Sequence, residues 1–237
     1  AGYQVAMFSL EMPTAKIIMR LQMCQWSQTR EGIREYAVPR DEHRQMCERL
    51  LVDDTASLSV AQMALRARQV RVERQPLIIV VDHAGLIGGH ESLKQYDRVS
   101  LQMRALQAMA KRLNAFVVVA VQVSREVGGD GSRRLHVGGG RDSGVVEEVF
   151  DYMLGMRRLD YDTDADDATR QQYRDQLFVE ILKNRHGDRM SREQVFTMDQ
   201  TLRLTFAPGI QAPRKRARRG GDGTAHRRAT RRAPRAW

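Results

Sequence analysis

Residues 77–82 read LIIVVD, a run of five apolar side chains that ends at an acid. An uninterrupted apolar run of this length is typical of a parallel strand that is buried on both faces. A second such run, residues 116–121, ends at Gln122, and an amphipathic segment at 97–113 lies between the two. A strand, a helix and a second strand in this order predict an α/β fold with a mainly parallel sheet flanked by helices.

The same alternation is found on both sides of this segment. Residues 3–10 predict a strand, and Pro13 suits the first turn of the helix after it. Ser59 and Gln62 have the spacing of a capping box, which begins a helix that we expect to run to about residue 74. Three later strands are predicted, at residues 177–182, 195–198 and 202–206.

Composition excludes several classes of protein. The longest apolar stretch, residues 115–121, is far shorter than the roughly 20 residues of a membrane helix, so no membrane span is predicted. Cys24 and Cys47 lack CxxC spacing, which excludes a zinc ribbon and a disulfide scaffold and favours a reducing compartment. The acid-rich stretch at 160–176 lacks the glycine and glutamate of a calcium loop, and we expect a solvated loop there.

The positive charge is concentrated at one end of the chain. The formal net charge is +10, and residues 214–237 carry +9 of it. Residues 1–207 therefore form a nearly neutral domain, whereas 208–237 have no apolar periodicity and are expected to be a disordered basic tail. Three roles remain open for the tail: binding nucleic-acid phosphates, binding an acidic partner, or none, as an incidental product of GC-rich coding or a shifted reading frame.

Polar side chains follow the predicted strands, and in open parallel sheets ligands bind at the carboxyl ends of the strands. These candidates are Glu11, Asp82 with His83, Gln122 with Ser124 and Arg125, and Lys183 with Arg185. Two acids and a glutamine at three strand ends suit a magnesium–nucleotide site. Asp82 would hold Mg²⁺, Glu11 would orient or deprotonate the attacking water, and Gln122 would sense the γ-phosphate.

Six blocks of sequence lie in order over about residues 3–206. The blocks are FSLEM at 8–12, VDDTASLSVAQMALRARQV at 52–70, VVDHAGLI at 80–87, LQAMAKRLNAFVVVAVQVSREV at 106–127, GGRDSGVVEEVFDYML at 139–154 and VEILKNRHG at 179–187. In this order and spacing they resemble DnaB-type replicative helicases, and the resemblance implies the RecA-like ATPase domain at the C-terminal end of such a helicase.

The resemblance implies a role for five of the strand-end residues. Glu11 matches the catalytic glutamate, and Asp82 matches the Walker B aspartate of an ATP and Mg²⁺ site. Gln122 matches the glutamine that couples the γ-phosphate to DNA contacts. Lys183 and Arg185 match the pair that reaches the nucleotide of the neighbouring subunit, with Arg185 as the arginine finger.

The resemblance also implies a DNA-binding loop and a set of partners. Arg141, Asp142 and Gly144 match the loop that lines the central channel of the ring and holds the DNA backbone, and Arg133 and Arg134 keep the preceding segment basic. The implied partners are single-stranded DNA, further copies of the chain in a homo-hexamer, a primase and a helicase loader. No membrane partner is implied, and the expected location is the cytoplasm, at the nucleoid.

One family motif is missing from the 237 residues. The phosphate-binding loop G-x-x-x-x-G-K-[ST] lies upstream of the FSLEM block in this family and does not occur in this sequence. We expect that the chain is a fragment of a longer product. The alternative is a catalytically inactive remnant that binds DNA or helicase subunits.

Simpler explanations exist for the single candidates. Glu11 could be an acid favoured by the dipole at a helix N-terminus. Arg141 could pair with Asp142 or with Glu147 on the surface, and the segment 183–185 could be a solvated strand end.

Overall fold

The computed structural model describes residues 3–36, 39–70, 72, 75–90, 92–122, 143–162, 165–187 and 193–210. Four of the predicted DNA-binding residues, Arg133, Arg134, Arg141 and Asp142, lie outside the described residues, as does the tail from residue 211 onward. Gly144 is described only as a backbone position within a helix.

Four parallel strands form the first sheet, in the order β2-β1-β3-β4. Their bounds are β1 Gln4–Ser9, β2 Leu50–Asp53, β3 Leu77–Asp82 and β4 Ala115–Val119. The predicted strand at 77–82 is therefore confirmed, and it pairs with β1 on one side and β4 on the other. β2 was not predicted, because four residues are too few to show a periodic pattern.

Helices flank this sheet. They are α1 Thr14–Trp26, α2 Gly32–Glu35, α3 Arg40–Arg49, α4 Val60–Gln69 and α5 Gln95–Leu113, with a short 3₁₀ turn at Ala84–Leu86. A further helix, α6 Ser143–Val149, contacts α5. The capping box is confirmed at the start of α4, where both reciprocal hydrogen bonds between Ser59 and Gln62 are present. Helix α4 ends at Gln69, five residues earlier than predicted.

The main core lies between the parallel sheet and helices α4 and α5. Burial of these side chains is the main source of stability, at about 25 cal/mol per Å² of apolar surface removed from water. Its least exposed members are Ala6, Phe8, Leu58, Met63, Ala67, Leu77, Ile79, Val81, Met103, Leu106, Met109 and Leu113.

A second, antiparallel sheet has the order β5-β6-β7-β8. Its strands are β5 Tyr152–Arg157, β6 Gln176–Asn184, β7 Gln194–Met198 and β8 Leu204–Phe206. A small separate core, Leu159, Phe178 and Val195, packs beneath it. The predicted strands at 177–182, 195–198 and 202–206 fall in this sheet, whereas β5 was not predicted.

The strand predicted at 116–121 is only half buried, so its prediction as a strand buried on both faces is wrong. β4 ends at Val119, and the side chain of Phe116 on it is 62% exposed. In the described part of the chain β4 is one of the two edge strands of the parallel sheet, and β2 is the other. Strand order is a tertiary property, and the apolar run alone could not predict it.

The prediction of a solvated loop at 160–176 is confirmed only in part. Helix α7, Asp167–Gln172, begins there, and Asp166 caps it by accepting a hydrogen bond from the N–H of Thr169 at 2.6 Å. Asp160 is only 12% exposed and accepts a hydrogen bond from Arg158 Nε at 3.0 Å. One carboxylate of the stretch therefore caps a helix and another pairs with an arginine, whereas the side chain of Asp167 is 97% exposed.

Substitution of Asp160 by asparagine is expected to weaken the acid sensitivity of folding. Burial alone would raise the pKa of Asp160, but hydrogen bonds from Arg158 and from the N–H of Asp175 outweigh it, so its pKa lies below the usual value. A carboxyl with a lowered pKa stabilises the fold above its unfolded pKa, about 3.9, and loses that contribution as the pH falls through the folded pKa.

Chemical denaturation from pH 7 to pH 3 measures this effect. We expect Asp160→Asn to lose about 2 kcal/mol at pH 7 and to show a flatter decline below pH 4 than the unsubstituted chain. Asp167→Asn is the control, because the side chain of Asp167 is 97% exposed. An unchanged pH profile in Asp160→Asn would contradict the assigned pairing.

Candidate nucleotide site

The first candidate cluster lies where β1 and β3 end side by side. Ser9 pairs with Asp82 in the parallel register, and the N–H of Leu10 donates to the carbonyl of Asp82 at 2.7 Å. Glu11 follows directly, so the two predicted acids lie at the same edge of the sheet. The hydroxyl of Ser9, which is buried, donates to the carbonyl of Met12 at 2.7 Å and holds the chain in its turn after β1.

His83, which was named among the strand-end residues but given no role, contacts Glu11. Its Nε2 lies 3.5 Å from Glu11 Oε2, and its Nδ1 accepts a hydrogen bond from the N–H of Gly85 at 3.2 Å. A side chain at Gly85 would crowd this ring, since a Cβ there would lie 3.1 Å from His83 Cε1. The loop after β3 therefore holds the imidazole against the carboxylate of Glu11. The sequence signal was the position directly after Asp82.

Glu11 does not lie in the first turn of a helix, so the simpler explanation of it as an acid at a helix N-terminus does not hold. Helix α1 begins at Thr14, and its N-terminal N–H donates to Asp54 Oδ2 at 2.7 Å. That hydrogen bond lowers the pKa of Asp54. Asp54 is therefore the acid at this helix end, and the side chain of Glu11 is 63% exposed and accessible to a ligand.

Gln122 is placed at the same sheet edge by the backbone. The N–H of Ala120 donates to the carbonyl of Val81, and the N–H of Ala84 donates to the carbonyl of Ala120, both at 2.9 Å. These bonds continue the pairing of β3 and β4 beyond the last strand residues. Gln122 is exposed two residues further on. The structure thus brings Glu11, Asp82 and Gln122 to one edge.

Lys183 and Arg185 belong to a different cluster, and their prediction as residues at the end of a parallel strand is wrong. Lys183 lies in β6 of the antiparallel sheet, and Arg185 follows that strand. Both contact helix α6: Lys183 Nζ donates to the carbonyl of Glu147, and Arg185 Nη2 donates to that of Glu148 at 3.0 Å.

Arg185 also pairs with Asp151, which follows α6. Its Nη1 lies 2.6 Å from Asp151 Oδ1, and its backbone N–H donates to the carbonyl of Asp151 at 2.9 Å. The strand end at residues 183–185 is therefore hydrogen-bonded to α6 and Asp151, although the side chain of Arg185 stays 44% exposed. An open groove of about 460 Å³ borders this cluster, lined by Arg104, Gln107, Glu148, Val149 and Arg185.

The first cluster fits Mg²⁺ as it is bound with a nucleotide. Such a site uses one or two carboxylates and completes the coordination with water and phosphate oxygens. Asp82, with Glu11 beside it, supplies those carboxylates. Within the described residues no group of three or more His, Cys, Asp or Glu side chains could hold a metal on its own. No helix in the described ranges is both long and apolar enough to span a membrane.

A parallel sheet flanked by helices, with acids at the ends of adjacent strands, is the architecture of a RecA-like ATPase domain. A family model of known proteins matches the chain and supports this class. The family model "DnaB-like helicase C terminal domain" matches residues 1–203, and the chain belongs to this family.

Curated relatives are bacterial replicative helicases that are longer than this chain. Replicative DNA helicase DnaB of Geobacillus stearothermophilus is 27% identical over 167 residues, which are 66% of this chain and 37% of that protein. The Rickettsia felis helicase of the same name is 29% identical over 204 residues, 77% of this chain and 41% of that protein. The chain therefore spans about two fifths of the length of these relatives.

Two solved structures share the fold at 23% sequence identity and a TM-score of 0.68. One is described as a DnaB-like replicative helicase and its interactions with primase, and the match covers 84% of this chain and 50% of that one. The other is described as an ATPase domain, and the match covers 86% of this chain and 73% of that one.

Proposed function

We propose that this chain forms most of the ATPase motor of a ring-shaped replicative helicase, which unwinds duplex DNA by moving along single-stranded DNA. The observation that carries the proposal is the adjacency of Glu11 and Asp82 at the ends of β1 and β3. Two carboxylates at neighbouring strand ends suit the division of labour in ATP hydrolysis. One binds the metal and the other handles the attacking water.

Each residue of the first cluster has a distinct role in this proposal. Asp82 holds Mg²⁺, which neutralises charge on the phosphate oxygens when it is bound. Glu11 accepts the proton of the water that attacks the γ-phosphorus, and the terminal phosphoryl group leaves ADP as inorganic phosphate. His83 orients the carboxylate of Glu11 through their 3.5 Å contact. Gln122 responds to the presence of the γ-phosphate at the same edge.

The second cluster serves the nucleotide of a neighbouring subunit. Lys183 and Arg185 lie on the antiparallel sheet rather than with Glu11 and Asp82. A guanidinium supplied by a neighbouring copy stabilises the transition-state charge only when subunits are packed, which couples hydrolysis to ring geometry. We therefore propose a homo-hexamer with one active site at each subunit interface.

DNA contacts are assigned to residues near the start of α6. Arg141, Asp142 and Gly144, with Arg133 and Arg134, would hold the phosphate backbone in the central channel, where salt weakens binding. A primase and a helicase loader are the proposed protein partners, and one of the structural neighbours is described with primase. Because the proposed substrate is DNA under replication, the proposed location is the nucleoid, in the cytoplasm.

The alternative function is defined by the phosphate-binding loop, which does not occur in the 237 residues. Without that loop the 237 residues supply the acids and the finger but no backbone cradle for the phosphates. A chain that works in this form would be an inactive module that binds DNA or helicase subunits. The two functions are distinguished by measuring ATP hydrolysis in a protein to which the phosphate-binding loop has been added. A motor domain should hydrolyse ATP in this protein, and an inactive module should not.

The P-loop fusion is the protein for this test. It joins the segment that contains the phosphate-binding loop of the Geobacillus stearothermophilus relative to residue 3 of this chain, and the chain ends at Pro208 to remove the basic tail. We expect the fusion to hydrolyse ATP, and single-stranded DNA to raise the rate several-fold. Arg141→Ala should weaken DNA binding, lower the slope of log affinity against log salt by about one, and reduce the stimulation.

Arg170→Ala is the matched control for the loss of an exposed arginine, because Arg170 pairs with Asp167 on helix α7. Fluorescence anisotropy with a labelled oligonucleotide measures binding, and phosphate release measures hydrolysis. A fusion that binds ATP and DNA but never hydrolyses ATP would favour the inactive module. Equal DNA stimulation in Arg141→Ala and Arg170→Ala would remove Arg141 from the DNA site.

A further inference from the structure

The C-terminal end of helix α6 receives side chains from two other elements. Gln107 Nε2 of α5 donates to the carbonyl of Val149 at 3.0 Å, and Lys183 Nζ of β6 donates to that of Glu147. Arg185 Nη2 donates to the carbonyl of Glu148 at 3.0 Å. Carbonyls in the last turn of a helix lack partners within the helix and carry partial negative charge. The end of α6 is therefore a receptor for cationic side chains.

Asp151 adds a second fixed point for the guanidinium of Arg185. Asp151 Oδ1 lies 2.6 Å from Nη1, while the carbonyl of Glu148 accepts from Nη2. Two oxygens that hold two nitrogens of one planar group define both its position and the orientation of its plane. A guanidinium has five N–H donors, so these contacts leave others for a further ligand.

The held guanidinium borders an open space. Arg185 lines the groove of about 460 Å³ together with Arg104 and Gln107 of α5. Its side chain is 44% exposed even though it is hydrogen-bonded on one side. The contacts with α6 and Asp151 thus fix one side of the guanidinium while the rest stays accessible from the groove.

We propose that Asp151 is the positioning residue for the arginine finger. It holds the guanidinium of Arg185 at the groove wall in the orientation that meets the γ-phosphate of a nucleotide bound by the neighbouring subunit. This inference rests on the proposed function of Arg185. A long arginine side chain that is already oriented loses less conformational freedom when it engages its ligand, so the benefit appears in the rate of the chemical step.

The contribution of Asp151 to stability should be small. The side chains of Asp151 and Arg185 are 52% and 44% exposed, and exposed ion pairs contribute little to the free energy of folding. Asp151→Asn keeps the shape of the side chain and removes its charge. The effect of this substitution should therefore fall on the orientation of Arg185 and leave the fold intact.

The first test uses the 237-residue chain by itself. The ¹⁵N-detected Nε–H signal of Arg185, assigned by its loss in Arg185→Lys, reports how tightly the guanidinium is held. We expect its hydrogen exchange to become several-fold faster in Asp151→Asn. Asp167→Asn, which breaks another 2.6 Å ion pair on α7, should leave the signal unchanged. Identical exchange of the Arg185 signal in Asp151→Asn and in the unsubstituted chain would overturn the proposal.

The second test measures ATP hydrolysis in the P-loop fusion. Asp151→Asn should lower kcat by about tenfold or more and leave KM for ATP nearly unchanged, because the nucleotide is bound by the neighbouring subunit. Asp151→Glu, which restores the charge, should recover part of the loss. Full kcat in Asp151→Asn, in a fusion that Arg185→Ala inactivates, would overturn the positioning role. Retained turnover in Arg185→Ala would instead overturn the proposed function of Arg185. The hydrogen-exchange measurement does not depend on that function, so the two failures can be told apart.

Discussion

Replacement of Arg185 by alanine in the P-loop fusion is expected to reduce DNA-stimulated ATP hydrolysis by about a thousandfold or more. The guanidinium supplies positive charge as charge moves onto the leaving oxygen, and alanine offers nothing in its place. Nucleotide affinity should stay close to that of the unsubstituted fusion, because in the proposed ring Arg185 acts on the nucleotide that a neighbouring subunit binds. Steady-state phosphate release and equilibrium binding of a fluorescent nucleotide measure the two quantities separately.

The control is again Arg170→Ala, which removes a partly exposed arginine from an ion pair of the same 2.6 Å length. It should keep the full rate. Normal turnover in Arg185→Ala would contradict the assignment of the arginine finger. A loss of nucleotide binding that is as large as the loss of rate would place Arg185 in the site of its own subunit.

The second large effect is expected for Glu11→Gln, which should slow hydrolysis by about a hundredfold to ten-thousandfold. Glutamine has nearly the shape of glutamate but cannot accept the proton of the attacking water. Binding of ATP and Mg²⁺ should survive, because Asp82 is unchanged. Single-turnover hydrolysis, with the fusion in excess over ATP, measures the chemical step directly.

Glu48→Gln is the matched control for this substitution, because Glu48 is an exposed glutamate that pairs with Arg44 on helix α3. A rate for Glu11→Gln within twofold of this control would remove Glu11 from the chemistry. In that case the neighbouring His83 or Asp82 would be the remaining proton acceptors at this sheet edge.

Local patterns predicted the parts of the structure that local forces determine. The apolar run at 77–82 forms the central strand β3 because it can be buried on both sides of the sheet. Ser59 and Gln62 satisfy each other's backbone N–H groups, so their spacing alone identified the start of α4. The rule that ligands bind at the carboxyl ends of parallel strands likewise identified Glu11 and Asp82, which lie at the same sheet edge.

The second cluster could not be predicted in this way, because its contacts join residues far apart in the sequence. Arg185 lies 34 residues from its partner Asp151, and Lys183 lies 36 residues from Glu147. No periodicity links such positions. The rule for strand ends applies to parallel sheets. It therefore misplaced Lys183, because β6 belongs to an antiparallel sheet.

For the same reason, the sequence could not predict which strand lies at the sheet edge or which acid is paired and largely buried. Phe116 looks like a core residue in its apolar run, and only the strand order shows that β4 is an edge strand in the described chain. Asp160 looks like one more acid in a polar loop until Arg158 and Asp175 surround it. In both cases the exposure of the side chain depends on residues that only the tertiary fold brings close to it.

Mixing two inactive fusions tests most directly whether one active site is built from two subunits. Glu11→Gln retains a finger and lacks the proton acceptor, whereas Arg185→Ala retains the acceptor and lacks the finger. When the two are combined in equal amounts before the ring assembles, about one quarter of the interfaces join an intact Glu11 to an intact Arg185. We predict that the mixture recovers about that fraction of the unsubstituted rate. A mixture that stays as inactive as its components would contradict a motor with its finger in trans.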